Sequence, residues 1–125
     1  MENPVAIVTG SGRGIGRAAA VELAQRKYRV VLVSRTLSEL QETARLCGES
    51  ALAICADLST SDGVAGVVTQ TLSKMGRVDA LVHCAGVATF GGVDEVTVEQ
   101  WQLMLETNLS ASVYFCRLLW PVWRG

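Results

Sequence analysis

Very little in this chain of 125 residues punctuates or cross-links it: there are 2 prolines, one histidine and 4 cysteines. Cys47, Cys55, Cys84 and Cys116 stand 8, 29 and 32 positions apart, so no C-x-x-C pair forms. With a single histidine to help them, they offer no metal site. Each has apolar neighbours, and all four are expected to be small buried hydrophobes in a reducing compartment, without chemistry of their own. An excess of charge is missing too. Eleven basic against twelve acidic side chains leave a net charge of -1, so no basic field exists to hold a phosphate backbone, and nucleic acid is not an expected partner. Long hydrophobic runs are also absent. Aliphatic stretches such as Val30–Val33 fall far short of the roughly 20 apolar residues of a membrane span. The start Met1-Glu2-Asn3-Pro4 lacks the basic region of a signal peptide. A cytoplasmic location away from any membrane is the expectation.

What is present is the composition of one folded domain over residues 1–125: half the residues are hydrophobic, 18% are charged, and no repeat or linker breaks the chain. Val5–Thr9 is a short β-rich run that stops at a cluster of glycines, and Arg29–Val33 is a second one after a helix-like interval. Ala51–Cys55 and Val78–Val82 supply two more. Helical spacing fills the gaps: Leu37, Leu40, Ala44 and Cys47, ended by Gly48 as a left-handed cap, then Val64, Val67, Val68, Thr71, Leu72 and Met75, capped by Ser61 or Asp62. The order is β-α-β-α-β-α-β followed by helix. Continuous apolar strands joined by crossovers of this length imply an α/β fold with a parallel sheet covered on both faces. Beyond Val98, Trp101, Leu105, Leu109, Val113, Cys116, Leu119 or Trp120, and Trp123 fall on one helical stripe. A helix that apolar needs a partner surface.

The segment Thr9-Gly10-Ser11-Gly12-Arg13-Gly14-Ile15-Gly16 lies between the first strand and a helix expected to turn Ile15, Ala19, Ala20, Leu23 and Ala24 inward. Glycines there let the backbone turn sharply and approach a pyrophosphate, whose charge meets free N–H groups and the positive end of the helix dipole. Position after a strand, an alanine-rich helix behind it and a parallel-sheet pattern agree on dinucleotide binding.

The glycine spacing, G-x-x-x-G-x-G preceded by threonine, resembles that of the short-chain dehydrogenase/reductase family, most of all its NADP-dependent 3-oxoacyl-acyl-carrier-protein-reductase-like members. Thr9, Gly10, Gly14, Ile15 and Gly16 match every fixed position of that motif. The resemblance implies a Rossmann-type doubly wound sheet and hydride transfer between a nicotinamide and an alcohol or carbonyl. It makes Gly10, Ser11, Arg13, Gly14, Ile15 and Gly16 the phosphate turn. About 20 residues on, NAD enzymes carry a carboxylate for the ribose diol. Here Ser34-Arg35-Thr36 stands with no acid. A guanidinium and a hydroxyl at that spot attract a 2′-phosphate, and Arg13 adds a second cation, so NADP(H) is expected over NAD(H).

The resemblance extends along the rest of the chain. Asp57, in Ala56-Asp57-Leu58, matches the family's aspartate that hydrogen-bonds the adenine amino group, with Leu58 beside it; a turn or N-cap aspartate is the plainer alternative. His83-Cys84-Ala85-Gly86 takes the place of the family's Asn-Asn-Ala-Gly, so Cys84, Ala85 and Gly86 are expected against the cofactor and His83 in a structural role. Asn108 matches the helix asparagine that distorts its helix and joins a proton relay to the catalytic lysine. It is the one catalytic candidate. Neither tyrosine has a lysine four positions on, since Leu32 and Leu118 stand there, so no Tyr-x-x-x-Lys exists. The likeness thus covers four strands and one further helix of a longer domain, truncated before the Ser, Tyr and Lys set. On that expectation the chain binds cofactor, cannot run the proton transfer alone, leaves the fourth strand as a sheet edge, and self-associates through its terminal helix. The alternative is a non-catalytic nucleotide-binding or partner-binding module.

Overall fold

The computed structural model describes residues 2–125. Four strands, β1 (Val5–Thr9), β2 (Arg29–Ser34), β3 (Leu52–Cys55) and β4 (Ala80–His83), alternate with the helices α1 (Gly14–Gln25), α2 (Leu37–Cys47) and α3 (Ser61–Met75). After β4 come α4 (Val98–Leu105), a π-helical segment (Glu106–Ser110) and α5 (Ala111–Arg124). The sheet is parallel throughout, in the order β3-β2-β1-β4. The chain therefore leaves β1 towards one side of the sheet and reaches β4 on the other. Clefts in open α/β sheets form at such a reversal, beyond the carboxyl ends of the strands.

Alternation along the central strands divides the core in two. Val5, Ile7, Val31, Val33 and Ile54 face α3 and α5, packing with Val64, Val67, Phe115 and Leu119. Val8, Val30 and Leu32 face α1 and α2, packing with Ala20 and Leu40. Strands with both faces covered have no polar side to show, which is why they read as unbroken apolar runs. The doubly wound α/β architecture is as expected. Among the described residues β4 pairs only with β1 and so forms an edge.

Several local expectations are corrected. The cap of α3 is Thr60, whose Oγ1 accepts from the Gly63 amide at 3.0 Å, and not Ser61 or Asp62. Thr60 keeps extended backbone while Ser61 is already helical, so only Thr60 can reach back over the first turn. Gly48 has φ 94° and ψ -167°, a conformation open to glycine but outside the left-handed helical region; the left-handed cap is Gly76, after α3. Ile15 is not on the inner side of α1: it is 81% exposed, because the first turn of the helix overhangs the end of the sheet. Cys55 and Cys116 are exposed and Cys47 and Cys84 half-buried, all four as free thiols, and burial pushes the Cys47 thiol up.

The largest correction concerns the terminal helices. Ala111, Phe115 and Leu119 are the buried residues of α5, and Thr107 is buried one turn earlier. Trp101, Leu109, Val113 and Trp120 stay largely exposed. The two faces lie two residues, about 200°, apart on a helix. The face that enters the core is the one whose small Ala111 lets Phe115 and Leu119 seat beside α3. Of the expected stripe, Leu119 alone is fully buried, while the Trp123 indole donates to the Val78 carbonyl at 3.1 Å.

The outer end of the sheet is closed by a carboxylate. Asp79 accepts from the Val5 amide at 2.8 Å and from Nε and Nη2 of Arg77. Those Arg77 hydrogen bonds come first among the causes that hold its carboxyl below the usual range, followed by the Val5 amide and the neighbouring positive charges, against an opposing desolvation. A carboxyl depressed in the folded state stabilises the fold above its unfolded pKa and stops doing so as pH falls. Asp79→Asn should accordingly lower the urea midpoint at pH 7, with the difference from the parent shrinking as pH drops below about 4. A difference independent of pH contradicts this.

Candidate functional site

The first strand and first helix meet so closely that side chains have no room. A Cβ on Gly10, where φ is 62°, would lie 2.7 Å from the Cys84 carbonyl oxygen and the Ala85 amide, and one on Gly16 would strike the Gly10 carbonyl oxygen. Helix α1 therefore starts directly above the end of β1. Its N-cap residue, Arg13, provides no side-chain hydrogen bond, and no acid stands in the first turn. The leading amides keep their donors, and the positive helix end looks onto open space. That space is a cavity of about 360 Å³ beyond the strand ends.

The cavity gathers the expected cofactor residues from the carboxyl ends of the four strands: Gly10, Arg13 and the first residues of α1, Gly14, Ile15 and Gly16, beyond β1, Ser34 and Arg35 at the end of β2, Asp57 and Leu58 after β3, and Cys84, Ala85 and Gly86 after β4. Leu58 is mostly core, only 4% exposed, and meets the cavity with an edge. Ser11 does not reach the cavity. Its hydroxyl is buried, donates to the Val8 carbonyl at 2.8 Å and accepts from the Val33 amide at 3.0 Å, so it locks the turn to both strands instead. Asn108 is not part of the lining either.

One end of the cavity carries opposed charges. Arg13 is 84% exposed at its side chain, with Nε 3.9 Å from Glu39 Oε2. Asp57 Oδ1 accepts from the Ser59 hydroxyl at 2.7 Å and the Ser59 amide at 2.9 Å. These two bonds, with a smaller contribution from the Arg35 charge, hold its carboxyl below the usual carboxylate value against a modest desolvation. Asp57 is thus a turn aspartate by its local bonds and a cavity residue by its place. Ser34 Oγ accepts from the Thr36 amide at 3.1 Å, and Thr36 leaves α2 without a side-chain cap.

The other end is organised by Thr9. Its Oγ1 accepts from the amides of Cys84 (3.0 Å) and Ala85 (3.1 Å) and lies 2.7 Å from His83 Nδ1. Two N–H groups occupy the hydroxyl's lone pairs, so its proton points to Nδ1. The hydrogen-bond network then assigns the imidazole proton to Nε2, which donates to the Thr107 carbonyl at 3.2 Å. His83 thus bridges the end of β1 and the π-helical segment and packs beside Phe115. The helix around Asn108 is distorted into that π-helical segment. The Asn108 side chain accepts from the Val87 amide at 2.8 Å and donates to the Val87 carbonyl at 2.9 Å, clamping the loop that follows Gly86.

Thr9 was expected only as a motif match, and Gly12, Glu39 and Thr107 belong to the site or its frame without having been expected there. Gly12 sits inside the glycine turn. Glu39 was findable, as an acid in the first turn of the helix after β2. Thr107 acts through its main chain, which no side-chain pattern reveals.

The sequence profile of the family described as short chain dehydrogenase matches residues 4–124. The chain belongs to the short-chain dehydrogenase family. Versicolorin reductase 1 of Dothistroma septosporum is 36% identical, over 94% of this chain and 46% of its own length. Among solved structures, L-sorbose reductase from Gluconobacter frateurii, complexed with NADPH and L-sorbose, superposes with a TM-score of 0.92 at 35% identity, over 98% of this chain and 48% of that one. A 3-ketoacyl-(acyl-carrier-protein) reductase from Brucella melitensis, complexed with NADH, gives 0.89 at 31%, over 97% and 50%. The chain spans about half the length of the curated relatives it matches. It shares with these dehydrogenases the four-stranded Rossmann-type sheet and its helices.

Within this short-chain dehydrogenase frame, Thr9→Val keeps the shape of the side chain and deletes the hub, leaving the Ala85 amide and an imidazole nitrogen without partners, while the Cys84 amide keeps the Thr9 carbonyl at 3.2 Å. The expected loss is about 1–3 kcal/mol of unfolding free energy, measured by urea denaturation. A loss under about 0.5 kcal/mol, the level of an ordinary surface substitution, contradicts the role given to Thr9.

Proposed function

We propose that the chain binds NADP(H) and forms the nucleotide half of an oxidoreductase that moves hydride between the nicotinamide and a carbonyl or alcohol. The observation that carries this is the uncapped start of α1, opened by Gly10, Gly14 and Gly16 onto a cavity with Arg13, Ser34 and Arg35 at one end. The cavity suits the group: the amides of the turn meet a diphosphate, the two guanidiniums and the Ser34 hydroxyl meet a 2′-phosphate, and Asp57 offers an acceptor to the adenine amino group. Gly86 leaves room beside Asn108 Oδ1, which a Cβ there would approach to 3.2 Å.

When bound, the dinucleotide would give or take the hydride. Thr9, through Cys84 and Ala85, fixes the loop on which the far half of the cofactor rests, and Asn108 fixes its continuation at Val87. The proton relay that the family resemblance attaches to Asn108 falls to it in the whole protein, where a tyrosine, a lysine and a serine would complete the set. One neighbour has been captured with NADPH and another with NADH, so the preference rests on this chain's own charged corner.

The exposed Trp101, Leu109, Val113 and Trp120 on α4, α5 and the π-helical segment between them favour a second role beside the first. That face is an apolar surface suited to self-association or to a protein partner.

Titration of nucleotide fluorescence tests the cofactor reading. NADPH should bind about tenfold or more tightly than NADH, and Arg35→Ala should remove most of that advantage, the size expected of a charged hydrogen bond. Equal affinities for both nucleotides overturn the NADP(H) preference. Absence of binding for both overturns dinucleotide binding itself.

A further inference from the structure

Sequence spacing places no acid at the end of β2, yet the fold brings one to the same corner from the first turn of α2. Glu39 lies with its carboxylate 3.9 Å from Arg13, only 34% exposed at its side chain. Its main chain is not free to move away. The Glu39 carbonyl accepts from Arg17 Nη2 at 3.3 Å and lies 3.2 Å from the Thr43 hydroxyl. The same two side chains hold the glycine turn, Thr43 donating to the Ser11 carbonyl at 2.8 Å and Arg17 to the Gly12 carbonyl at 2.5 Å. Gly12 itself is so near that a Cβ on it would stand 3.0 Å from Glu39 Cβ. Helix α2 and the phosphate turn are thus one rigid unit, and the carboxylate is carried on it.

We propose that Glu39 is a specificity-determining residue that holds down the preference for NADP(H) over NAD(H). The proposal rests on the cofactor reading above. A 2′-phosphate must draw Arg13 away from Glu39 or share it, and its own negative charge enters beside the carboxylate. NAD carries no phosphate there and meets neither obstacle. Discrimination between two ligands is a difference of affinities, and a fixed like charge acts against one of them alone. Arg35 and Asp57 line the same cavity, and the Arg35 charge is the smallest of the causes acting on the Asp57 carboxyl.

Binding of NADP+ and NAD+ to the chain and to Glu39→Gln, by isothermal titration at low salt, tests this. Glutamine keeps the length and the main-chain anchors and removes the charge. The expected result is about five-fold tighter NADP+ binding, of the order set by one surface charge acting on a nearby phosphate, with NAD+ changed by less than about two-fold. Adding Arg13→Ala should shrink the NADP+ gain, because part of it comes from releasing Arg13. Unchanged or weaker NADP+ binding in Glu39→Gln, or equal tightening of both nucleotides, overturns the proposal while leaving the cofactor reading intact. A parent chain that binds neither nucleotide overturns both.

Discussion

A single steric constraint positions everything else: the backbone of α1 crosses the end of β1 with no space for a side chain between them. Gly16 sits under the Gly10 carbonyl, and Gly10 sits against the Cys84–Ala85 peptide. Because three chain segments touch there through main-chain atoms alone, the leading amides of the helix are brought to the point where β1 separates β2 from β4. The open sheet makes a cleft at that point, and the helix end makes it attractive to an anion. A larger residue at Gly16 would lift the helix off the strand and turn its amides elsewhere, and one at Gly10 would push away the loop after β4.

Around this contact, hydroxyl groups do the work of fastening. Ser11 ties the turn to β1 and β2, Thr43 ties it to α2, and Thr9 ties it to the loop after β4. All three are buried, and each meets main-chain groups that would otherwise lie unpaired. The result is a rigid frame under a charged rim. Arg13 lies near Glu39, and Arg35 and Asp57 line the same cavity, so the frame fixes where charges stand and leaves the ligand to decide which of them pair.

Strands, crossovers and the glycine turn were legible in the sequence because each is a local pattern with one physical reading. Unbroken aliphatic runs mean strands covered on both faces, and closely spaced glycines before an alanine-rich helix mean close backbone approach. The terminal helices were not legible in the same way. Their sequence offers two apolar faces, and the larger one, with Trp101, Val113 and Trp120, is the one left outside. Only the fit of Ala111 and Phe115 against α3 decides between them, and fit is not a property of spacing. Glu39 escaped for a related reason: the acid-free end of β2 was read along the strand, whereas α2 folds back over it. Ser11 was misplaced because a serine in a phosphate turn points as readily into the sheet as towards a ligand. His83 was legible as structural, but its partners, Thr9 and the Thr107 carbonyl, lie 74 and 24 residues away in the chain.

The central claim is that the open amides at the start of α1 receive a diphosphate. It is tested most directly by following the amide resonances of a 15N-labelled chain while NADP+ is added. The account predicts that the largest shifts fall on Arg13, Gly14, Ile15 and Gly16 and on Ala85 across the cleft. Saturable binding that leaves those amides unmoved, with the shifts confined to the exposed face of α4 and α5, would contradict it.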